Sequence, residues 1–171
     1  MNIRFRQLLV ISLVVVFGAI SGYAISQTFK TEVLDTETVI RQKNRNDCGI
    51  AAAKNVLMAF NKNPDAIDTL LKPSDSGVTL LDIKAALSKQ GLHCTGYKTT
   101  LNDLMKLGLP AIAHINDNHF VVVESVEAES VLLIDPSVGR LRYRASAFEE
   151  RWNSIALCVS DKQESLPRQK F

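Results

Sequence analysis

Six short apolar runs of strand length follow one another between residues 93 and 159. The middle ones are separated only by the turn-like stretches EAES (127–130) and DPSVGR (135–140). Connections this short favour antiparallel hairpins, because a parallel connection needs about a dozen residues or more. The predicted strands are 93–99, 111–115, 120–126, 130–134, 141–144 and 155–159.

Helical patterns come before this series of strands. Apolar residues recur at helical spacing over residues 48–60, with Asn46 or Asp47 as the predicted N-cap. A capping box at 79–82, with aspartate in place of the usual glutamate, predicts a second helix. Helices followed by an antiparallel sheet are typical of the α+β class. We therefore expect an α+β fold with N-terminal helices packed on a sheet of about six strands.

The first 25 residues have the composition of an export signal. Arg4 and Arg6 precede a continuous apolar run, and small residues stand at the −3 and −1 positions of a possible cut after Ala24. The 18 uncharged residues of 8–25 also approach the roughly 20 needed for an uncleaved signal anchor. Both interpretations place the rest of the chain outside the cytoplasm, in the periplasm or on the extracytoplasmic face of the membrane.

The remaining residues form one predicted domain, since 171 residues is about the size of one. Residues 26–37 are predicted to be a polar spacer, 38–160 the folded domain and 161–171 a polar tail. The chain has 20 basic and 18 acidic residues, and two of the basic ones lie in the first 24 residues, so the remainder is neutral. This balance argues against nucleic-acid binding, and without a Gly-rich phosphate loop we expect no bound ATP.

Three cysteines leave two arrangements open in an oxidising compartment. Cys94 and Cys158 can form a disulfide, which leaves Cys48 as a free thiol, or both can be small buried residues on strands. Cys48 itself lies in the first turn of the predicted helix, where the N–H groups and the helix dipole favour a thiolate. A buried cysteine at a helix start is an equally good interpretation of that position alone.

The chain also contains candidates for the base, the orienting carboxylate and the oxyanion donor that a thiol nucleophile needs. Among the histidines, His119 begins an apolar strand and is the preferred base, whereas His93 and His114 lie within strands and are interpreted as structural. Asp135 ends the strand predicted to pair with that of His119, so a hairpin brings the two together. Gln42, six residues before Cys48, has an amide that can stabilise an oxyanion.

These residues resemble the cysteine peptidase domain of bacteriocin-processing ABC transporters, the double-glycine leader peptidase family. The resemblance covers about residues 38–160 and rests on four motifs in order, with the phenylalanine and tryptophan of AFEERW similar to the family's final segment. The motifs are Gln42, Asp47-Cys48-Gly49, His119-Phe120-Val121-Val122 and Asp135-Pro136.

The resemblance implies a papain-like fold and peptide-bond hydrolysis through an acyl-enzyme. Cys48 would be the nucleophile, His119 the general base and acid, and Asp135 the group that orients His119. Gln42 and the backbone N–H of Cys48 would form the oxyanion hole. No metal or cofactor is expected. Family substrates are leader peptides cut after two small residues, usually Gly-Gly.

The chain differs from those transporters in having one N-terminal apolar segment in place of a six-helix membrane domain and an ATPase. We therefore expect an exported peptide or protein as substrate, a membrane contact through the N-terminal segment, and a secretion or transporter component on a separate chain. Two alternatives remain: a docking module that binds secretion substrates without cutting them, and another acyl-transfer enzyme such as a cell-wall amidopeptidase. Retention of Cys48, His119 and Asp135 argues against a pure docking module.

Overall fold

The computed structural model describes residues 31–162 and contains a seven-stranded antiparallel sheet in the order β1-β6-β5-β4-β3-β7-β2. The strands are β1 (Thr31–Asp35), β2 (His93–Lys98), β3 (Ala111–Ile115), β4 (His119–Val126), β5 (Ser130–Asp135), β6 (Gly139–Arg144) and β7 (Trp152–Ser160). The helices are α1 (Cys48–Ala59), α2 (Leu80–Lys89), α3 (Leu101–Leu107) and α4 (Ala145–Glu149), with a 3₁₀ helix at Pro64–Thr69. The predicted α+β fold is confirmed.

The seventh strand comes from residues predicted to be part of a spacer. Residues 31–35 form β1, which pairs antiparallel with β6 at one edge of the sheet. Arg140 donates to Asp35 at 3.0 Å, and Arg142 donates to Glu32 at 3.0 Å. The strand was missed because its two apolar residues, Val33 and Leu34, are adjacent and exposed, so β1 lacks the alternating pattern on which strand prediction depends.

Helices cover both faces of the sheet. On one face α1, α2 and the 3₁₀ helix pack against the inward residues of the central strands, including Ile112, Val122 and Ile134. On the other face α3 and α4 contribute a second apolar cluster. The first face is the one that positions the site, because α1 packs there across β4.

A run of small side chains lets α1 lie close to the sheet. Ala52 and Ala53 are fully buried, followed by Val56 and Leu57 one turn later. A helix with alanine on its inner face approaches its neighbours more closely than one with larger side chains there. This close approach sets the first turn of α1, and with it Cys48, against the start of β4.

Cys94 and Cys158 are both buried free thiols on neighbouring strands. In the register of β2 and β7, Cys94 is opposite Val159 and Thr95 is opposite Cys158, an offset of one residue. Because successive side chains of a strand point to opposite faces, the two thiols lie in different apolar clusters. The structure therefore has the second arrangement, two small buried residues on strands.

Within residues 31–162, no helix is both long and apolar enough to cross a bilayer. The predicted signal or anchor at 1–25, the start of the predicted spacer and most of the predicted tail lie outside the described residues.

Candidate active site

Sheet register brings His119 and Asp135 together. Val122 pairs with Ile134, and continuing that register by one residue puts Asp135 opposite Val121, at the end of the hairpin where His119 begins β4. His119 Nε2 donates to Asp135 Oδ1 at 2.8 Å, and both side chains are largely buried. The Cys48 thiol hydrogen-bonds His119 as well. Since Nε2 is occupied by Asp135, Nδ1 is the ring nitrogen left for the thiol.

Cys48, His119 and Asp135 shift one another's pKa so that the charged form of each is favoured. Burial alone would raise the pKa of the Cys48 thiol, but hydrogen bonds from His119 and the backbone N–H of Phe120, with the charge of His119, outweigh it and lower that pKa. Burial opposes protonation of His119, but its contacts with Asp135 and Cys48 raise its pKa to about 9. These shifts favour the ion pair of a thiolate and an imidazolium over the pair of neutral groups.

Asp135 is held by a neighbour that the sequence reasoning missed. The backbone N–H and hydroxyl of Ser137 both donate to its Oδ1, at 2.8 and 2.6 Å. Against the effect of burial, the hydrogen bonds from His119 and Ser137 lower the pKa of Asp135. The signal was available, because Asp-Pro-Ser is a typical Asx-turn sequence in which the carboxylate accepts from the residue two positions later.

The first turn of α1 has no side-chain cap, contrary to the prediction. The carboxylate of Asp47 instead accepts from the backbone and side-chain amides of Asn44, at 3.0 and 2.8 Å. Asn46 Nδ2 donates to the carbonyl of Ser74 at 2.8 Å. Because neither side chain caps the helix, its first N–H groups are available to the thiolate and to a bound substrate.

Gly49 is required by packing rather than by substrate approach. A Cβ at this position would lie 2.5 Å from Val78 Cγ2, 3.0 Å from Ile83 Cδ1 and 3.2 Å from Phe120 Cδ2. The glycine lets α1, α2 with the loop before it, and the start of β4 meet at one point.

Gln42 lies in the loop that precedes α1, and its side chain has no hydrogen bond to Cys48, His119 or Asp135. Its Nε2 donates to the carbonyl of Asn44 at 2.9 Å and makes a longer contact of 3.5 Å with that of Arg45. Its backbone N–H donates to the carbonyl of Pro136 at 2.9 Å, which joins this loop to the Asp135 turn. Gln42 lines a cavity of about 330 Å³ that also borders Asp47, whereas Cys48 lines a different cleft.

Asn55 is a second residue that the sequence did not reveal. It is a buried polar residue of α1, 3% exposed. Its Oδ1 accepts from the backbone N–H of Ile40 at 2.9 Å, and its Nδ2 donates to the carbonyls of Ile40 (2.7 Å) and Ala51 (2.8 Å). Asn55 therefore fixes the backbone two residues before Gln42 to the helix that carries Cys48.

Cys48 opens into a cleft of about 780 Å³. One wall is the loop of residues 75–79, which Asn46 holds through Ser74. The opposite wall is formed by His114 and Phe120 with the β3–β4 turn, and Ile155 of β7 completes the rim. A peptide in this cleft would pass directly over the thiol.

A helix that carries a thiol, set against a sheet that carries an imidazole and a carboxylate, defines a papain-like cysteine peptidase. The family model described as the peptidase C39 family matches residues 36–164. The chain belongs to this family, and the predicted fold and enzyme class are confirmed.

Characterised and solved proteins of related sequence agree with this assignment. The chain is 30% identical over 134 residues to the probable functional amyloid protease FapD of Pseudomonas aeruginosa, covering 71% of this chain and 59% of FapD. It is 28% identical to LagD of Lactococcus lactis, the lactococcin-G-processing and transport ATP-binding protein, covering 75% of this chain and 20% of LagD. The chain thus spans well under two thirds of these relatives.

One solved structure matches over nearly its whole length. It is a double glycine motif protease from an AMS/PCAT transporter in complex with the leader peptide, with 26% identity and a TM-score of 0.66. The match covers 77% of this chain and 93% of that protease. The similarity is therefore confined to a peptidase domain rather than to a whole transporter.

Proposed function

We propose that this peptidase cleaves an exported peptide or protein after a leader that ends in two small residues, with Cys48, His119 and Asp135 as its catalytic residues. The observation that carries the proposal is the hydrogen-bonded series from the Cys48 thiol through His119 to Asp135, at the uncapped N-terminus of α1. The names of the double glycine motif protease and of LagD support the substrate class, and that of FapD adds a functional amyloid as a second kind of substrate.

The reaction follows from the protonation states at the site. The Cys48 thiolate attacks the carbonyl carbon of the scissile bond, and the carbonyl oxygen takes up the negative charge. His119 transfers its Nδ1 proton to the leaving amide nitrogen as the C–N bond breaks, which leaves a thioester on Cys48. Neutral His119 then takes a proton from water as its oxygen attacks the thioester, and the acid leaves as the thiolate and imidazolium re-form.

The oxyanion needs donors beside the thiol. The backbone N–H of Cys48, in the uncapped first turn, is one donor. Gln42 is the second donor. To act in this way, its Nε2 must leave the carbonyl oxygen of Arg45, at 3.5 Å, and donate to the substrate oxygen instead. The shorter bond to Asn44 and the clamp through Asn55 keep the amide close during this exchange.

The surroundings of the cleft support recognition of apolar leader side chains. Val78, Leu80 and Ile155 line it, and Leu81 on the adjoining turn of α2 is 73% exposed. We further propose that the peptidase works on the extracytoplasmic side of a membrane, with residues 1–25 as its signal or anchor. A separate transporter component would supply the substrate. These two points rest on the sequence of residues 1–25 and on the transporter relatives.

The test uses the full chain, purified in detergent so that residues 1–25 are retained. It is incubated with leader-bearing peptides that end in Gly-Gly, with matched peptides that end in Val-Val, and with a functional amyloid protein. Mass spectrometry should show a single cut after Gly-Gly, absent with Cys48→Ala and His119→Ala. Binding without cleavage would instead favour the docking module, and products joined to an added amine would favour acyl transfer.

A further inference from the structure

His114 lies in the wall of the cleft and takes no part in the proposed reaction. It is half-buried on β3, directly opposite Phe120 of β4, and the two ring centroids are 4.9 Å apart. The ring lines the same cleft as Cys48. Its position within a strand favoured a purely structural role, but the contacts around it define a specific chemical state.

A chain of hydrogen bonds fixes the tautomer of His114. The backbone N–H of Ile155 donates to Asn153 Oδ1 at 3.2 Å, and this identifies the amide oxygen of Asn153. Asn153 Nδ2 therefore faces His114 Nδ1, at 2.7 Å, and must donate to it. A nitrogen that accepts carries no proton, so the proton of neutral His114 is on Nε2.

The local backbone is shaped to make this contact. Between the pairs Ala113–Ala156 and Ile115–Trp152, β7 has two more residues than β3, so the strand bulges at the level of His114. Ser154 in the bulge has a φ of 65°, which is uncommon for a residue other than glycine. Bulges near active sites re-aim side chains, and here the side chain aimed at His114 is that of Asn153.

The bulge is held by backbone bonds on both sides. The N–H of Thr99 donates to the carbonyl of Ser154 at 2.8 Å, and that of Asn116 donates to the carbonyl of Arg151 at 2.8 Å. Trp152 Nε1 donates to the carbonyl of Ile155, also at 2.8 Å. Asn153 is therefore presented to His114 from a fixed backbone.

His114 stays neutral beside the charged catalytic group. Burial lowers its pKa, Asp117 at the β3–β4 turn raises it in part, and the charge of His119 lowers it further. Nε2 has no hydrogen-bond partner among the described residues and is not among their buried unpaired atoms. His114 thus presents one uncharged N–H donor to the cleft, and this donor does not compete with His119 for Asp135.

We propose that His114 is a substrate-binding residue whose Nε2–H donates to a backbone carbonyl of the bound peptide, and that Asn153 is the positioning residue that sets this donor. The inference rests on the proposed peptidase function and deepens it. A backbone carbonyl is the matching partner because every extended peptide presents one every residue, whatever its side chains. The contact would hold the chain against the β3–β4 wall while the scissile bond lies over Cys48.

The test compares His114→Gln with His114→Asn in the full chain, using the Gly-Gly peptide as substrate. The glutamine amide places an N–H near the position of Nε2, whereas the asparagine amide reaches only the position of Nδ1. A single lost hydrogen bond predicts a fall in kcat/KM of about 3- to 10-fold for His114→Asn, mainly through KM, with most of it restored in His114→Gln. The rate of Cys48 alkylation by iodoacetamide, which has no peptide backbone to bind, should not change.

The tautomer is tested independently by the ¹⁵N shifts of the His114 ring. The wild type should show the proton on Nε2, and Asn153→Leu, which removes the donor to Nδ1, should let the Nδ1–H tautomer appear and weaken peptide binding. Equal KM values for the wild type and His114→Asn, or a wild-type proton on Nδ1, would overturn the inference. Failure of the wild type to cleave any peptide would instead refute the proposed function, and the ring shifts would still report on Asn153.

Discussion

Replacing Asp135 by asparagine should remove its charge without reorienting His119. Both donors of Ser137 point at Oδ1, the same oxygen that accepts from His119 Nε2. In Asp135→Asn these donors repel an amide NH₂ and select the amide oxygen at that position. The substitution therefore isolates the electrostatic contribution of Asp135 from its role in holding the ring.

The size of the pKa change at His119 follows from its hydrogen bond to Asp135. A hydrogen bond to a charged group contributes about 1.5–3 kcal/mol, and about 1.36 kcal/mol corresponds to one pKa unit. Loss of the charge should therefore lower the pKa of His119 from about 9 by about one to two units. Cleavage needs protonated His119 as the acid, so the alkaline limb of kcat/KM should move down by the same amount. At pH 8.5 this predicts a loss of about 3- to 25-fold that shrinks toward pH 6.5.

The assay is the pH dependence of kcat/KM for a Gly-Gly peptide. Ser137→Ala is the matched control, because the carboxylate and its bond to His119 remain and the limb should stay near pH 9. Asp135→Ala should lose activity at every pH, since it removes the orienting oxygen as well. An alkaline limb that does not move in Asp135→Asn would refute the assignment of Asp135 as the group that stabilises protonated His119.

Three further predictions concern stability. Gly49→Ala should lower the free energy of unfolding by about 1–3 kcal/mol, with part of the loss recovered when Val78→Ala is added; no loss in urea titration would contradict the packing at Gly49. Asn55→Leu should cost about 1–3 kcal/mol by leaving two backbone groups of Ile40 unpaired, and an unchanged unfolding midpoint would contradict the clamp. A reducing agent should leave the unfolding midpoint unchanged, because Cys94 and Cys158 face opposite sides of the sheet and form no disulfide. A mass lower by two hydrogens in the non-reduced protein would show a disulfide and contradict this.

The positions of Cys48, His119 and Asp135 could be predicted from the sequence, because they depend on one helix start and one hairpin. His119 begins a strand and Asp135 ends the next, so antiparallel pairing alone brings them together. Cys48 could be placed at a helix start from periodicity. The contact of that helix with the start of β4 depends on the tertiary fold, and the sequence indicated it only through the family resemblance.

Other features depend on contacts that leave little trace in a single sequence. Edge strand β1 is exposed and has its apolar residues Val33 and Leu34 side by side, so it lacks the alternation of a half-buried strand. Asn55 looks like an ordinary polar residue of a helix, and only the fold shows that it is buried against Ile40. The bulge at Ser154 interrupts a strand without glycine, so nothing local indicated that Asn153 would reach His114.

The central claim, that His119 activates the Cys48 thiol, is tested most directly by the pH dependence of Cys48 alkylation with iodoacetamide. Background from the other thiols is low, because burial raises the pKa of Cys94 to about 11 and that of Cys158 to about 12. We expect Cys48 in the wild type to titrate below the ordinary thiol value of about 8.5, and His119→Ala to raise its apparent pKa. Titration at the ordinary value in both proteins would contradict that claim.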